Sequence, residues 1–415
     1  MKLLLDTRPL RSSAPFRRVW WGSALSTLGG QLAVVAVLVQ TWELTANPVA
    51  VGAIGLAQAV PMVLFGVVGG TLADAVDRRR LVLATTLAQM TTAVLLTAQA
   101  LAGLGSLAVL LGLVALQSAS GALGAPARRT FAARLLPADQ VGAGLALFNL
   151  SFQAAMLIGP ATAGVLAARW GVAACYAVDA LTFLAALYGV VRLPALPPDG
   201  EAARPGVAAV IAGWRFILSK PVLAGSFLTD LIATVLAMPV ALFPVVNADR
   251  FGGDPQTLGL FLSAIAVGGI SAGLTSGAVT RAARPGLAML AAAGTWGAAL
   301  VGFGLAPTLW MVLGCLAVAG AADTVSVVSR GALVQLATPD AYRGRVSAVE
   351  DIVGMAGPHL GDFRAGLVAG ATTAGVAAVS GGLMCVLGIA LVAALTPALR
   401  RPVLAARPGY MLRRY

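Results

Sequence analysis

Long apolar stretches, each close to twenty residues, recur along the whole chain and are separated by short clusters of charge, glycine and proline. A hydrocarbon core of about 30 Å takes roughly 20 apolar residues per helix, and backbone that crosses it must satisfy its own hydrogen bonds. Continuous apolar runs select helices, since a barrel would show short alternating strands. With 59% apolar and 11% charged residues in 415, the chain reads as an all-α integral membrane protein rather than a string of soluble domains.

Boundaries of charge, glycine and proline place twelve transmembrane helices in two six-helix halves. The first six lie near 19–43, 51–73, 81–102, 107–127, 139–168 and 172–191. The second six lie near 221–246, 257–279, 286–305, 308–329, 345–370 and 374–396. The chain thus divides into an N-terminal half (1–192), a cytoplasmic linker (193–220), a C-terminal half (221–397) and a basic cytoplasmic tail (398–415). The linker opens proline-rich, and its stretch VAAVIAGWRFILS is expected to lie in the interface as an amphipathic helix.

Charge sets the expected orientation. Of 28 lysines and arginines, only Arg169, Arg250 and Arg364 fall outside the tails, the linker and the loops after spans 2, 4, 8 and 10. Basic residues collect in cytoplasmic loops, so both termini are expected in the cytoplasm. The net charge of +12 is scattered in these clusters and forms no single basic face, which excludes a nucleic-acid partner. The N-terminal segment lacks the pattern of a cleaved signal peptide. Cys175, Cys315 and Cys385 are odd in number and lack metal-ligand spacing, so buried thiols are expected, with no metal and no cofactor. The preponderance of arginine over lysine and the abundant alanine suggest a GC-rich bacterial genome and hence the bacterial inner membrane.

An internal repeat links the halves. Arg128 matches Arg330, Pro137 matches Pro339, Gly142 matches Gly344, Gly159 matches Gly361 and Gly164 matches Gly366, all 202 residues apart. Earlier, Gly52 with Gly259, Gly66 with Gly273 and Gly70 with Gly277 share an offset of 207, assigned to a longer outer loop around 249–256. Parallel six-helix halves would place a substrate path between them.

The loop Gly70 to Arg80, GTLADAVDRRR, carries Gly70, Asp74 and Arg78, Arg79 and Arg80 in an order that resembles the helix 2–3 loop of the major facilitator superfamily. Asp77 stands where many members have glycine. The resemblance implies a cytoplasmic gate formed by Gly70, Asp74, Arg78 and Arg79, in which Asp74 meets the start of helix 11 near Arg343 to Val346. A carboxylate at a helix N-terminus gains about 0.3–2 kcal/mol, and the alternative is ordinary anchoring by positive charge. Gly159, Pro160 and Gly164 in helix 5 look like the antiporter motif of the same superfamily, although the second-half copy, Gly361 to Gly366, lacks the proline. Gly124 to Arg128, Leu136-Pro137, Leu193 to Pro198, Ala283 to Leu287, and Arg330 with Gln335, Pro339-Asp340 and Arg343 to Val346 resemble the enterobactin exporter group of siderophore and drug efflux proteins. That resemblance implies proton-coupled export.

Acids inside spans are costly, about 2.5–3.5 kcal/mol each when ionised, and each needs a reason. Asp230 in helix 7 and Asp323 in helix 10 share a depth of roughly 10–14 Å from the cytoplasmic end. Both are candidates for coupling protons to substrate; the alternative for Asp323 is a structural ion pair with Arg330, seven residues along the same face. Asp179 in helix 6 reads as a packing or hydrogen-bonding residue. His359, the only histidine, shares a stripe with Asp351 and Asp362 and reads either as a proton relay or as a packing residue. Gly269 to Gly273 matches a nucleophile-elbow pattern in the middle of an apolar helix, where it serves small-residue packing, and the chain carries no phosphate-cradling loop. The expectation is therefore a non-enzymatic, monomeric carrier that moves a small hydrophobic or amphipathic molecule outward against protons. The alternative is a membrane sensor or scaffold of carrier architecture without flux.

Overall fold

The structure is a computed structural model that describes residues 6–197, 207–274, 277 and 284–401. Most of the proline-rich part of the linker, from Pro198, lies outside the described residues, as do Arg281 and Ala283 of the second-half loop and most of the basic tail.

Among the described residues, twelve long helices follow in chain order. They are α1 (Ala14–Thr45), α2 (Pro48–Ala75), α3 (Arg78–Leu101), α4 (Leu107–Arg129), α5 (Val141–Trp170) and α6 (Val172–Val191) in the first half. The second half has α7 (Pro221–Phe251), α8 (Pro255–Leu274), α9 (Pro285–Leu305), α10 (Leu309–Ala337), α11 (Asp340–Ala371) and α12 (Ala374–Leu395). Eleven are long and apolar enough to cross a membrane, among the described residues. The twelfth, α11, is 32 residues long and carries Asp340, Arg343, Arg345, Glu350 and Asp351 in its first turns, which lowers its mean hydropathy.

Local chemistry sets the helix starts. The Ser13 side chain accepts from the Phe16 amide (3.2 Å) to open α1, and Asn47 accepts from Val49 (2.8 Å) just before Pro48 opens α2. The starts also locate the repeat. α1, α2 and α3 begin 207 residues before α7, α8 and α9, while α4 and α6 begin 202 before α10 and α12. The expectation that the outer loop around 249–256 causes the difference is corrected here. The five residues are lost later, because α9 is shorter than α3 and the turn after it is shorter than that before α4.

α7 departs from a simple span. It breaks after Leu236 at Ala237–Pro239, passes through a short 3-10 turn (Val240–Leu242) and resumes as Phe243–Phe251. Pro239 has no amide to donate and Pro244 restarts the helix, so the break is where a proline-interrupted helix should fail. The linker helix Val207–Leu218 lies along α11 and packs Ile217 with Val346, Val349, Leu223 and Phe227.

Large apolar side chains point outward. Leu387, Leu181 and Leu64 are 68%, 63% and 60% exposed, as expected where lipid tails are the solvent and helix contacts rely on small residues. Within the first half, Gln40 and Gln99 exchange side-chain hydrogen bonds (3.1 and 2.9 Å) and Tyr176 donates to Gln40 Oε1 (2.9 Å), tying α1, α3 and α6 together. The halves meet along two helix pairs, α2 with α11 and α5 with α8, which the repeat relates to each other.

Candidate functional site

The two interfaces between halves close at the end of the bundle opposite the α2–α3 loop. A Cβ on Gly52 would lie 3.0 Å from Gly366 Cα, and one on Gly366 would lie 2.6 Å from the Pro48 carbonyl oxygen. At the related interface, a Cβ on Gly164 would lie 2.6 Å from the Pro255 carbonyl oxygen, and Gly259 packs directly on the Pro160 carbonyl. Glycine is required because the backbones themselves touch. These are repeat mates, Gly52 with Gly259 and Gly164 with Gly366. Gly159 completes the set by packing on the Gln31 side chain of α1. Pro160 sits inside a continuous α5.

Toward the α2–α3 loop the halves separate. Gly66 and Gly70 have no neighbouring heavy atom within 4 Å of a built Cβ. A gap lined by Met62 and Gly66 of α2, Arg129 of α4, and Ala348 and Met355 of α11 lies between the halves there. It is bridged by an ion pair from Arg129 to Asp351.

Between the sealed end and this opening lies a cavity of about 730 Å³. Its two walls differ. The larger polar residues of the first half are Gln31, Gln58, Gln89 and Gln117, one from each of α1 to α4, with Arg128 at the end of α4, and the second half contributes mainly Met238, Leu262, Met355 and Pro358, with His359 and Asp362. Arg128 donates to Gln89 Oε1 (2.5 Å) and Thr86 Oγ1 (3.3 Å) of α3. The Gln117 Oε1 atom is buried without a hydrogen-bond partner.

The α2–α3 loop is pinned to its own half. Asp77 caps α3 by accepting from the Arg80 amide (3.1 Å), and its other oxygen accepts from the Leu196 amide (3.1 Å). The Arg78 amide donates to the Leu196 carbonyl (3.0 Å). Arg79 donates to the Val191 carbonyl (2.5 Å) at the end of α6, where a cation meets the negative end of the helix dipole. The Arg78 side chain is buried and its guanidinium lies 3.9 Å from Asp74. Asp74 makes no hydrogen bond or ion pair to α11 among the described residues.

The charged residues of the second half fall into two groups. Asp230 of α7 forms an ion pair with Arg330 of α10, their side chains 13% and 10% exposed, and Glu350 of α11 lies 3.9 Å from the same guanidinium. Asp323, midway along α10, is exposed and has no ion pair or hydrogen bond among the described residues, so Arg330 is paired with Asp230 and not with Asp323. The second group attends the break in α7. Asp362 accepts from the Ala241 amide (3.0 Å), and Arg364 donates to the Leu236 carbonyl (2.7 Å). A broken helix exposes carbonyls at its first end and amides at its second, and α11 presents a cation to one and an anion to the other. His359 and Asp362 line the same cavity, but among the described residues His359 makes no hydrogen bond or ion pair with Asp362 or Asp351, Asp351 being held by Arg129 and Asp362 by the α7 turn. Asp179 is fully buried on α6 behind Gly29 of α1, its carboxylate oxygens without a hydrogen-bond partner among the described residues.

The family described as transmembrane secretion effector matches residues 6–405. The chain belongs to this family, a branch of the major facilitator superfamily. The secretion-effector match is supported by the enterobactin exporter of Shigella boydii serotype 18, 30% identical over 94% of this chain and 93% of that protein. The enterobactin exporter of Citrobacter koseri is 29% identical over the same shares. Among solved structures, a nucleoside transporter superposes with a TM-score of 0.72 at 13% identity, covering 93% of this chain and 98% of that one. A bacterial homologue of the human lysosomal transporter Spinster gives 0.72 at 16% identity, covering 96% and 100%. These distant likenesses show the fold shared by this secretion-effector chain. It is a multi-pass membrane transporter.

Sequence reasoning overlooked the polar wall. Four glutamines at cavity-lining positions in or beside four consecutive spans are an intramembrane signal of the kind applied to the acids. Arg128 was visible as a repeat mate of Arg330 and as part of a family motif, with no role attached.

Proposed function

We propose that this chain exports a small amphipathic molecule, a siderophore or a drug, by alternating access coupled to inward proton movement. The observation that carries the reading is the cavity between the halves, sealed at one end by backbone-to-backbone glycine contacts and open toward the basic end. The charge distribution supports placing that basic end, with both termini, on the cytoplasmic side of the bacterial inner membrane. The exporter relatives support outward transport, and enterobactin is the first cargo to test. The carrier works as a monomer in this reading, since its cavity is formed within one chain.

In this mechanism Asp74 latches α2 to the start of α11 when the inner end closes, with Gly70 allowing approach and Arg78 and Arg79 holding the loop to its half. Gly159, Pro160 and Gly164 form part of the outer seal. Asp230 and Asp323 carry the coupling. Protonation of Asp230 releases Arg330, and Asp323 on the same face of α10 is a second site for the proton or cargo. His359 and Asp362 lie on the cavity wall at the α7 break, where protonation would act on the turn.

Inverted membrane vesicles should accumulate enterobactin only while a proton gradient is present. Asp230→Asn and Asp323→Asn should each remove most of that uptake. Uptake that is indifferent to both changes and to the gradient would overturn the coupling assignment. Absence of gradient-driven uptake for enterobactin and for amphipathic dyes would favour a sensor or scaffold.

A further inference from the structure

The repeat builds the same arginine twice, at Arg128 and Arg330, and surrounds the two copies differently. Arg330 is neutralised from two sides, by Asp230 of α7 and by Glu350 of α11. The helix starts align α7 with α1 at an offset of 207, so Asp230 corresponds to Ser23. The matches Gly142 with Gly344 and Gly159 with Gly361 bracket Glu350, which corresponds to Phe148. Ser23 and Phe148 both line the central cavity together with Arg128. Both acids that neutralise the second arginine are therefore missing from the first.

What holds Arg128 is neutral. Its guanidinium donates to Gln89 and Thr86, and no acid pairs with it among the described residues. The other ionisable cavity residues are His359 and Asp362. Asp362 sits near the sealed end, its carbonyl close to Gly52 and its carboxylate engaged by Ala241, whereas Arg128 is the penultimate residue of α4 at the open end. A cation held inside a largely apolar cavity without a counter-charge attracts an anion strongly, because the low dielectric that penalises it also strengthens the pairing.

We propose that Arg128 is the cargo-binding cation of the central cavity and that the transported molecule bears an anionic oxygen group, a carboxylate, phenolate or catecholate, on an apolar body. The guanidinium takes the oxygens, the glutamines of the first half take adjacent polar groups, and Met238, Leu262 and Met355 of the second half take the apolar part. This rests on the export reading for direction of transport, and the binding site stands apart from it.

The test uses the full-length protein in lipid nanodiscs with two matched probes, 2-naphthoate and 2-naphthylmethylammonium, titrated by thermophoresis. The native protein should bind the anion and discriminate against the cation. Arg128→Gln should weaken naphthoate binding by at least about tenfold, the scale of one lost charge-assisted hydrogen bond, and Arg128→Lys should retain most of it. Ser23→Asp, which restores the acid present beside Arg330, should weaken it by a similar factor and leaves Arg128 in place should the first variant fail to fold. Unchanged naphthoate affinity in Arg128→Gln or Ser23→Asp overturns the proposal, as does native protein that binds neither probe or both equally. Charge-selective binding without gradient-driven uptake in vesicles would leave the anion site standing and overturn export.

Discussion

The two halves share a backbone plan and differ in how they treat charge. Close approach is symmetric, since Gly52 with Gly366 and Gly259 with Gly164 do the same work at two related interfaces. Charge is not. The second half pairs Arg330 with Asp230 and places Asp362 and Arg364 at a broken α7, whereas the first half leaves Arg128 on neutral partners. In the repeat, Asp362 and Arg364 correspond to Pro160 and Thr162, and α7 corresponds to the unbroken α1. The second half engages Arg330, Asp362 and Arg364 with its own groups, and the first half keeps Arg128 facing the cavity on neutral partners. A duplicated frame can thus keep its hinge surfaces while assigning binding to one half.

The largest effect should come from breaking the internal pair. Asp230→Ala leaves the buried Arg330 guanidinium with only the more distant Glu350 and should cost up to about 3–5 kcal/mol, read as a drop in the thermal unfolding midpoint in detergent. Adding Arg330→Gln should recover most of it. Arg128→Gln, which breaks only hydrogen bonds to neutral partners, should cost about 1 kcal/mol. Equal losses at the two arginines would remove the contrast between halves.

Next, Gly164→Leu and Gly366→Leu test the part that the repeat keeps equal. Each drives a side chain into facing backbone at the sealed end, and overpacking of this kind costs about 1–3 kcal/mol in the closed state. Both should raise thiol labelling at cysteines introduced near the sealed end, by similar amounts. A change at one interface alone would show that the two seals are not equivalent.

Smaller again is the break in α7. Arg364→Gln should lose about 1–2 kcal/mol by leaving the Leu236 carbonyl with a weaker donor, and hydrogen exchange should rise locally around Ala237–Leu242. Thr162→Arg in the first half has no broken helix to serve and should give no matching protection. The smallest expected effect is at Asp74, half-buried beside Arg78 at the loop in this conformation. Asp74→Asn should shift the balance between inner-open and inner-closed states by about 0.3–1 kcal/mol, measured by cysteine accessibility at the basic end.

Much of this was legible from residue order. Apolar runs located the spans, and glycines at fixed offsets declared the repeat. Each of these is local, or compares the chain with itself. Asp77, set apart because it breaks a family pattern, proved to be the α3 cap and the anchor for Leu196. The α7 break was missed although Pro239 and Pro244 announce it, because the apolar run continues through them to Val246 and hides the interruption.

Sequence by itself determined that this chain crosses a membrane as two repeated bundles and which side chains are too costly to sit in one without purpose. It could place Asp323 and Arg330 on one face of α10, since helical spacing fixes that. Only the tertiary structure decided that Arg330 reaches across to Asp230, that Asp362 and Arg364 serve the ends of a broken α7, and that Arg128 has no acid opposite it. A partner on another helix depends on how helices rotate and lean against each other, and in lipid that packing is set by small residues such as Gly52 and Gly366, far from the charges it brings together.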